Sequence, residues 1–146
     1  MWVGAMRLSS MPQEHEQTSF EEYVRLVRES DPRFEADAYV FLRDALDFTV
    51  RDNRRQTDTE DRHVSGPELL DGFRRLAIQQ FGPMVPTVLE TWGVRCTDDV
   101  GDMVFNLIEV GAFGKNDSDS KEDFVGVYEF HDAFVKPFLP DPKNQT

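Results

Sequence analysis

Cysteine is nearly absent from this chain of 146 residues: Cys96 is its single copy, so no internal disulfide can form. That fits a reducing, cytoplasmic setting. No apolar run approaches the roughly 18–20 residues needed to cross a bilayer, so no membrane association is expected. The apolar opening Met1–Leu8 is too short for a signal h-region and lacks a small-residue cleavage site. Either Met1 or Met11 is placed to open translation. Internal repeats and long linkers are missing, which argues for one domain. Arginine stops early, with all 12 before Thr97, so residues 97–146 hold 11 acids against 4 Lys, a net charge of −7.

What is present is acid and aromatic. The chain has 28 acidic and 16 basic side chains, a formal charge of −12, with 12 Phe, 2 Trp and 3 Tyr. The aromatic content supplies a core without metal or disulfide, and a chain of this length buries roughly 70% of its unfolded surface. Disorder is thereby excluded as a description of the whole. Three parts are expected: a loose arm Met1–Gln17, a single helical domain over 18–136, and a proline-punctuated tail from Pro137 to Thr146.

Helical signals follow one another closely. Thr18-x-x-Glu21 and Ser19-x-x-Glu22 both have capping-box spacing, ahead of Phe20, Tyr23, Val24 and Val27, and Asp31-Pro32 ends that helix. A second helix is expected from Ala36 to Arg51, then a polar loop from Asp52 to Arg62. Ser65-x-x-Glu68 with Pro67 in the first turn is the clearest start in the chain, and Gly82-Pro83 closes the helix it opens. Pro83 to Trp92 forms a fourth helix with Gly93 as its left-handed cap, and Thr97 or Asp98 caps a fifth carrying Val100, Met103, Val104 and Leu107. Val125, Val127, Tyr128 and Phe130 are strand-friendly, so a C-terminal β-hairpin with a charged tip at Asn116–Asp123 is expected, then a short helical turn near Asp132–Val135. His63-Val64 suits a brief third strand.

The fold class expected is therefore mainly α, with about five helices and a small C-terminal β-hairpin, winged-helix-like in its second half. A plain helical bundle with an irregular flap explains the same pattern. In the winged reading the fifth helix would face DNA, yet its outward residues are Asp98, Asp99, Asp102, Asn106 and Glu109. None neutralises phosphate, so no nucleic-acid partner is expected.

Candidate chemistry is sparse. Asp117 and Asp119 begin like a calcium loop, but Lys121, Glu122 and Tyr128 stand where ligand, glycine and bidentate glutamate belong. Gly111-Ala-Phe-Gly-Lys115 has glycine spacing too short for a phosphate loop and no Ser or Thr after its lysine. His15 lies in the arm, and His63 and His131 could approach each other if the His63-Val64 strand pairs with the hairpin. Cys96 sits between Arg95 and a helix N-terminus, which would lower a nearby thiol, although a small buried turn residue is the commoner case. No metal, cofactor or catalytic residue is expected. His63, Ser65, Glu68, Cys96 and His131 remain as candidates for a functional surface.

Several segments carry a family look: Asp31-Pro-Arg33, Ala38-Tyr-x-Phe-Leu, His63-Val-Ser-Gly-x-Glu-Leu-Leu, Gln80-Phe-Gly-Pro-Met84, Leu89-x-x-Trp-Gly-Val94, Val104-Phe-Asn-Leu107 and Asp123-Phe124. Over about residues 31–139 the chain resembles a family of small bacterial proteins with no assigned activity. The resemblance implies a single intracellular bacterial domain and brings no catalytic residues with it. The function expected is a non-catalytic interaction or adaptor module whose partner is another protein or a second copy. The alternatives are a winged-helix regulator binding DNA through Arg43, Arg51, Arg54, Arg55, Arg74 and Arg75, and an enzyme whose site forms only in three dimensions.

Overall fold

Apolar side chains recurring at three- and four-residue spacing close into six α-helices, in a computed structural model that describes residues 1–2, 13–57 and 63–140. They are α1 (Gln13–Ser30), α2 (Ala36–Thr57), α3 (Gly66–Phe81), α4 (Val85–Trp92), α5 (Thr97–Glu109) and α6 (Phe130–Phe134). Single 3-10 turns occur at Gly82–Met84, Lys121–Phe124 and Lys136–Phe138. The core is built from Leu42 and Leu46 of α2, Leu69 and Phe73 of α3, and Met103 and Leu107 of α5, all buried. α2 and α3 approach closely because Gly72 has no side chain: a Cβ there would overlap Thr49, whose hydroxyl turns back to donate to the Ala45 carbonyl at 2.7 Å. Phe41 stands edge-on to Phe73 at 5.1 Å and packs against Phe81 and Trp92, joining α2, α3 and α4.

Helix ends are set locally where side chains can reach. The Glu68 amide donates to Ser65 Oγ at 3.2 Å and the Ser65 amide to Glu68 Oε1 at 3.0 Å, the reciprocal box expected at the start of α3. Gly93 closes α4 at φ 85°, a left-handed conformation that glycine adopts without strain. The start of α5 differs from the expected Thr97 or Asp98 cap. Cys96 occupies the cap position without a side-chain hydrogen bond, and Thr97 lies in the first turn, its buried hydroxyl donating to the Phe124 carbonyl at 2.7 Å.

Two helices are longer than expected. α1 begins at Gln13, ahead of both capping-box candidates, and α2 continues to Thr57 through most of the expected polar loop. Helix elongation is cooperative, so a good stripe carries a polar end along with it. Within the expected arm, Met1 is buried and Trp2 half-buried, Gln13–Gln17 belong to α1, and residues 3–12 lie outside the described residues, with His15's side chain. In the tail, residues 141–146 lie outside them too.

The expected hairpin is not there. Among the described residues no strand occurs, and the one β-bridge joins Trp2 to Gly114. His63-Val64 is likewise no strand, although the Val64 amide donates to the Met1 carbonyl at 2.9 Å. The segment after Gly114 is an irregular flap folded onto the N-terminal ends of α3 and α5. The Gly126 amide donates to Asp98 Oδ1 at 3.0 Å and the Val127 amide to Thr97 Oγ1 at 3.2 Å, so helix side chains take the place of a partner strand. Phe124 locks it: Gly66 and Gly101 both lie against it, and a Cβ would collide with Phe124 at Gly101 and with Asp123 at Gly66. The described residues thus form the helical bundle with an irregular flap.

Candidate functional site

Of the five candidate residues, His63, Ser65 and Glu68 gather at the mouth of α3, where the flap loop meets the first two residues of the chain. Asp119 is the hub. It is 6% exposed, and its Oδ2 accepts from the Met1 α-ammonium at 2.8 Å and from the Asn116 amide at 2.9 Å. His63 Nε2 lies 3.2 Å from Asp119 Oδ1, donating in the tautomer that carries its proton there. The Met1 ammonium also donates to the Val64 carbonyl at 2.8 Å. Trp2 is held by the bridge to Gly114, whose missing side chain leaves room for the indole. Burial alone would raise the Asp119 pKa, but the Met1 ammonium, the Asn116 amide and His63 more than offset it and hold the carboxyl below the usual range.

The side chains at this mouth are engaged with one another. Ser65 Oγ and Glu68 Oε1 are taken by the cap, and Glu68 Oε2 accepts from Asn53 at 2.8 Å. Gly66, the first residue of α3, packs against Asp123 and Phe124 of the flap. Among the described residues no group of three or more His, Cys, Asp or Glu is placed to hold a metal ion. Sequence reasoning missed Asp119 as a hub, because its partners Met1 and His63 are remote in the chain and only folding brings them together.

His131 and Cys96 lie elsewhere. His131, on α6, lines a groove of about 460 Å³ between α4 and α6, with Leu89, Val94 and Phe134 as its floor and Glu90 and Arg95 at its rim. Cys96 follows that rim and is exposed, so it is not the small buried turn residue expected. Its thiol is not activated either: packing around the sulfur, reinforced by the Asp99 and Asp98 carboxylates, pushes its pKa up despite the helix amides. Tyr128 behind the groove donates to the Leu70 carbonyl at 2.8 Å, and burial pushes its phenol well above the ordinary range.

The remaining polar surface is largely satisfied from within. On α5, Asp99 accepts from the Arg95 amide at 2.9 Å, Asp102 pairs with Arg33 at 3.2 Å, and Asn106 donates to Asp31 and to Tyr39. Arg33 also grips Asp31 at 2.8 Å and holds that carboxyl far below its usual range. Of the arginines considered for DNA, Arg74 and Arg75 bind Asp71, Arg75 also reaches Asp52 at 2.9 Å, Arg43 lies over the Phe20 ring, and Arg51 is exposed. The side chains of Arg54 and Arg55 lie outside the described residues. Comparison of the chain with protein-family models, curated proteins and solved structures found no match.

Proposed function

We propose that this chain is a non-catalytic protein-interaction module that engages its partner through the flap and α6. The observation that carries the reading is where apolar side chains are left in water. Of the six large exposed apolar residues among those described, Val125, Val127, Phe138 and Leu139 fall within one stretch, the others being Leu26 and Met84. Isolated exposed apolar residues need no explanation, whereas a concentration of them is the usual mark of a binding surface. The stretch is held in place by Thr97, Asp98 and Leu70 through the Val127 and Gly126 amides and the Tyr128 hydroxyl. A surface already ordered before association loses less entropy on binding. The cytoplasmic setting suggested by the single cysteine, and the bacterial family that residues 31–139 resemble, belong to the same proposal.

Photo-crosslinking in the native cell tests it. A benzophenone side chain at Val127 or Leu139 should yield a discrete crosslinked species, and one at exposed Asp37 or Gln79 should not. Phe138→Asp should abolish the product while leaving the melting temperature unchanged. Equal crosslinking at all four positions, or none at any, overturns the reading.

A further inference from the structure

Resting on that reading, we infer that the α4–α6 groove seats an apolar helix of the partner flanked by lysine or arginine. The groove offers such a guest an apolar floor between two helices. Leu89, Val94 and Phe134 are 3%, 2% and 1% exposed and form a closed apolar floor. Phe130 stands edge-on to Phe134 at 5.2 Å, and Tyr128 packs against both, so the α6 wall is braced from behind. A channel between two helices accepts the side chains of a third at helical spacing, the helix-in-groove mode of recognition.

Charge selects the guest. Glu90 lines the groove and Glu129 adjoins its Phe130 wall. Both are exposed, and neither is in an ion pair among the described residues. Arg95 is the permanent cation of the lining, and His131 is the other basic group. Beyond the rim, residues 97–146 carry −7 and the whole chain −12. That field draws cationic guests and repels both acidic peptides and a second copy of this chain.

The test uses the full chain and two short amphipathic peptides with leucine at helical spacing, one with lysine on its polar face and one with glutamate. Fluorescence anisotropy should show saturable binding of the lysine peptide and at least about tenfold weaker binding of the glutamate peptide. A benzophenone in place of one leucine should crosslink within residues 86–95 and 130–135. The charge-reversed Glu90→Lys, Glu129→Lys chain, altered only at exposed positions, should bind the lysine peptide about tenfold more weakly. Val135→Asp in the groove wall should do the same, and the charge-reversed chain decides if Val135→Asp fails to fold.

Crosslinks elsewhere, or equal affinity for both peptides, overturn the proposal. So does binding that emerges only after residues 141–146 are removed, which would make the chain's own tail the occupant, or a groove crosslink to a second copy. Loss of peptide binding with cellular crosslinks at Val127 and Leu139 intact would sink the groove and leave the interaction reading standing.

Discussion

Ser65 and Asp119 show two kinds of residue-scale stabilisation. The Ser65 box is made entirely by neighbours in the chain, so Ser65→Ala should cost about 1 kcal/mol in urea unfolding. Asp119 works across the fold, and replacing it by Asn would take the countercharge away from the buried Met1 ammonium, which still donates to the Val64 carbonyl. Removing one member of a buried pair costs about 3–5 kcal/mol, and the lower end applies here because that carbonyl remains. The Asp119 carboxyl is held below its ordinary range, so the stability it contributes is present above the unfolded carboxylate pKa of about 3.9. It is lost as pH falls through the lower folded value. Asp31 and Asp71 act in the same sense. Unfolding titrations from neutral pH downward should show wild-type stability dropping below about pH 4, and Asp119→Asn should lose less over that interval.

Among the elements, the flap was the hardest to read from sequence. Val125, Val127, Tyr128 and Phe130 have strand composition, but strand propensity expresses itself only against a neighbouring strand. Here Thr97 and Asp98 at the start of α5 take the amides, and Phe124 fills the notch left by Gly66 and Gly101. Glycine inside a helix signals close approach, and Gly101 is the clue that could have revealed the notch. In an isolated helix Gly101→Ala would gain about 1 kcal/mol from propensity. In this fold the new methyl meets Phe124 and overpacks the junction at about 1–3 kcal/mol, so the net effect should be destabilising. Limited proteolysis should then cut residues 115–129 faster than in wild type. Unchanged cleavage with a raised melting temperature would show that the flap is not locked there.

At the scale of the molecule, the bundle depends on the aromatic junction of α2, α3 and α4. Phe73 is 1% exposed, and Phe73→Ala should cost about 3–5 kcal/mol in chemical denaturation, several times the Ser65 cap. Trp92 is only partly buried against Phe41 and Phe81, so Trp92→Ala should cost less than Phe73→Ala. Charge acts over the same scale. The chain carries −12, and on α5 the Asp102, Asp99 and Asp98 carboxylates are tied to Arg33, Arg95 and Gly126, so that helix supplies no group that neutralises phosphate. Anisotropy titration against a randomised duplex pool at physiological salt should show no binding, and tight, salt-sensitive binding would restore the regulator reading.

The sequence by itself determined the helical class, the order of the main helices, the Ser65 start of α3, the Gly93 stop of α4 and the acidic surface. Each depends on spacing or composition within a turn or two of the chain, where local sterics and hydrogen bonding act alone. Tertiary structure alone decided that Asp119 joins Met1 and His63, that His131 lies apart from His63 in the α4–α6 groove, and that the C-terminal segment is a flap rather than a hairpin. Those outcomes depend on which groups meet across long stretches of chain: a carboxylate settles where an ammonium and an amide converge, and an amide without a partner strand turns to the nearest hydroxyl or carboxylate.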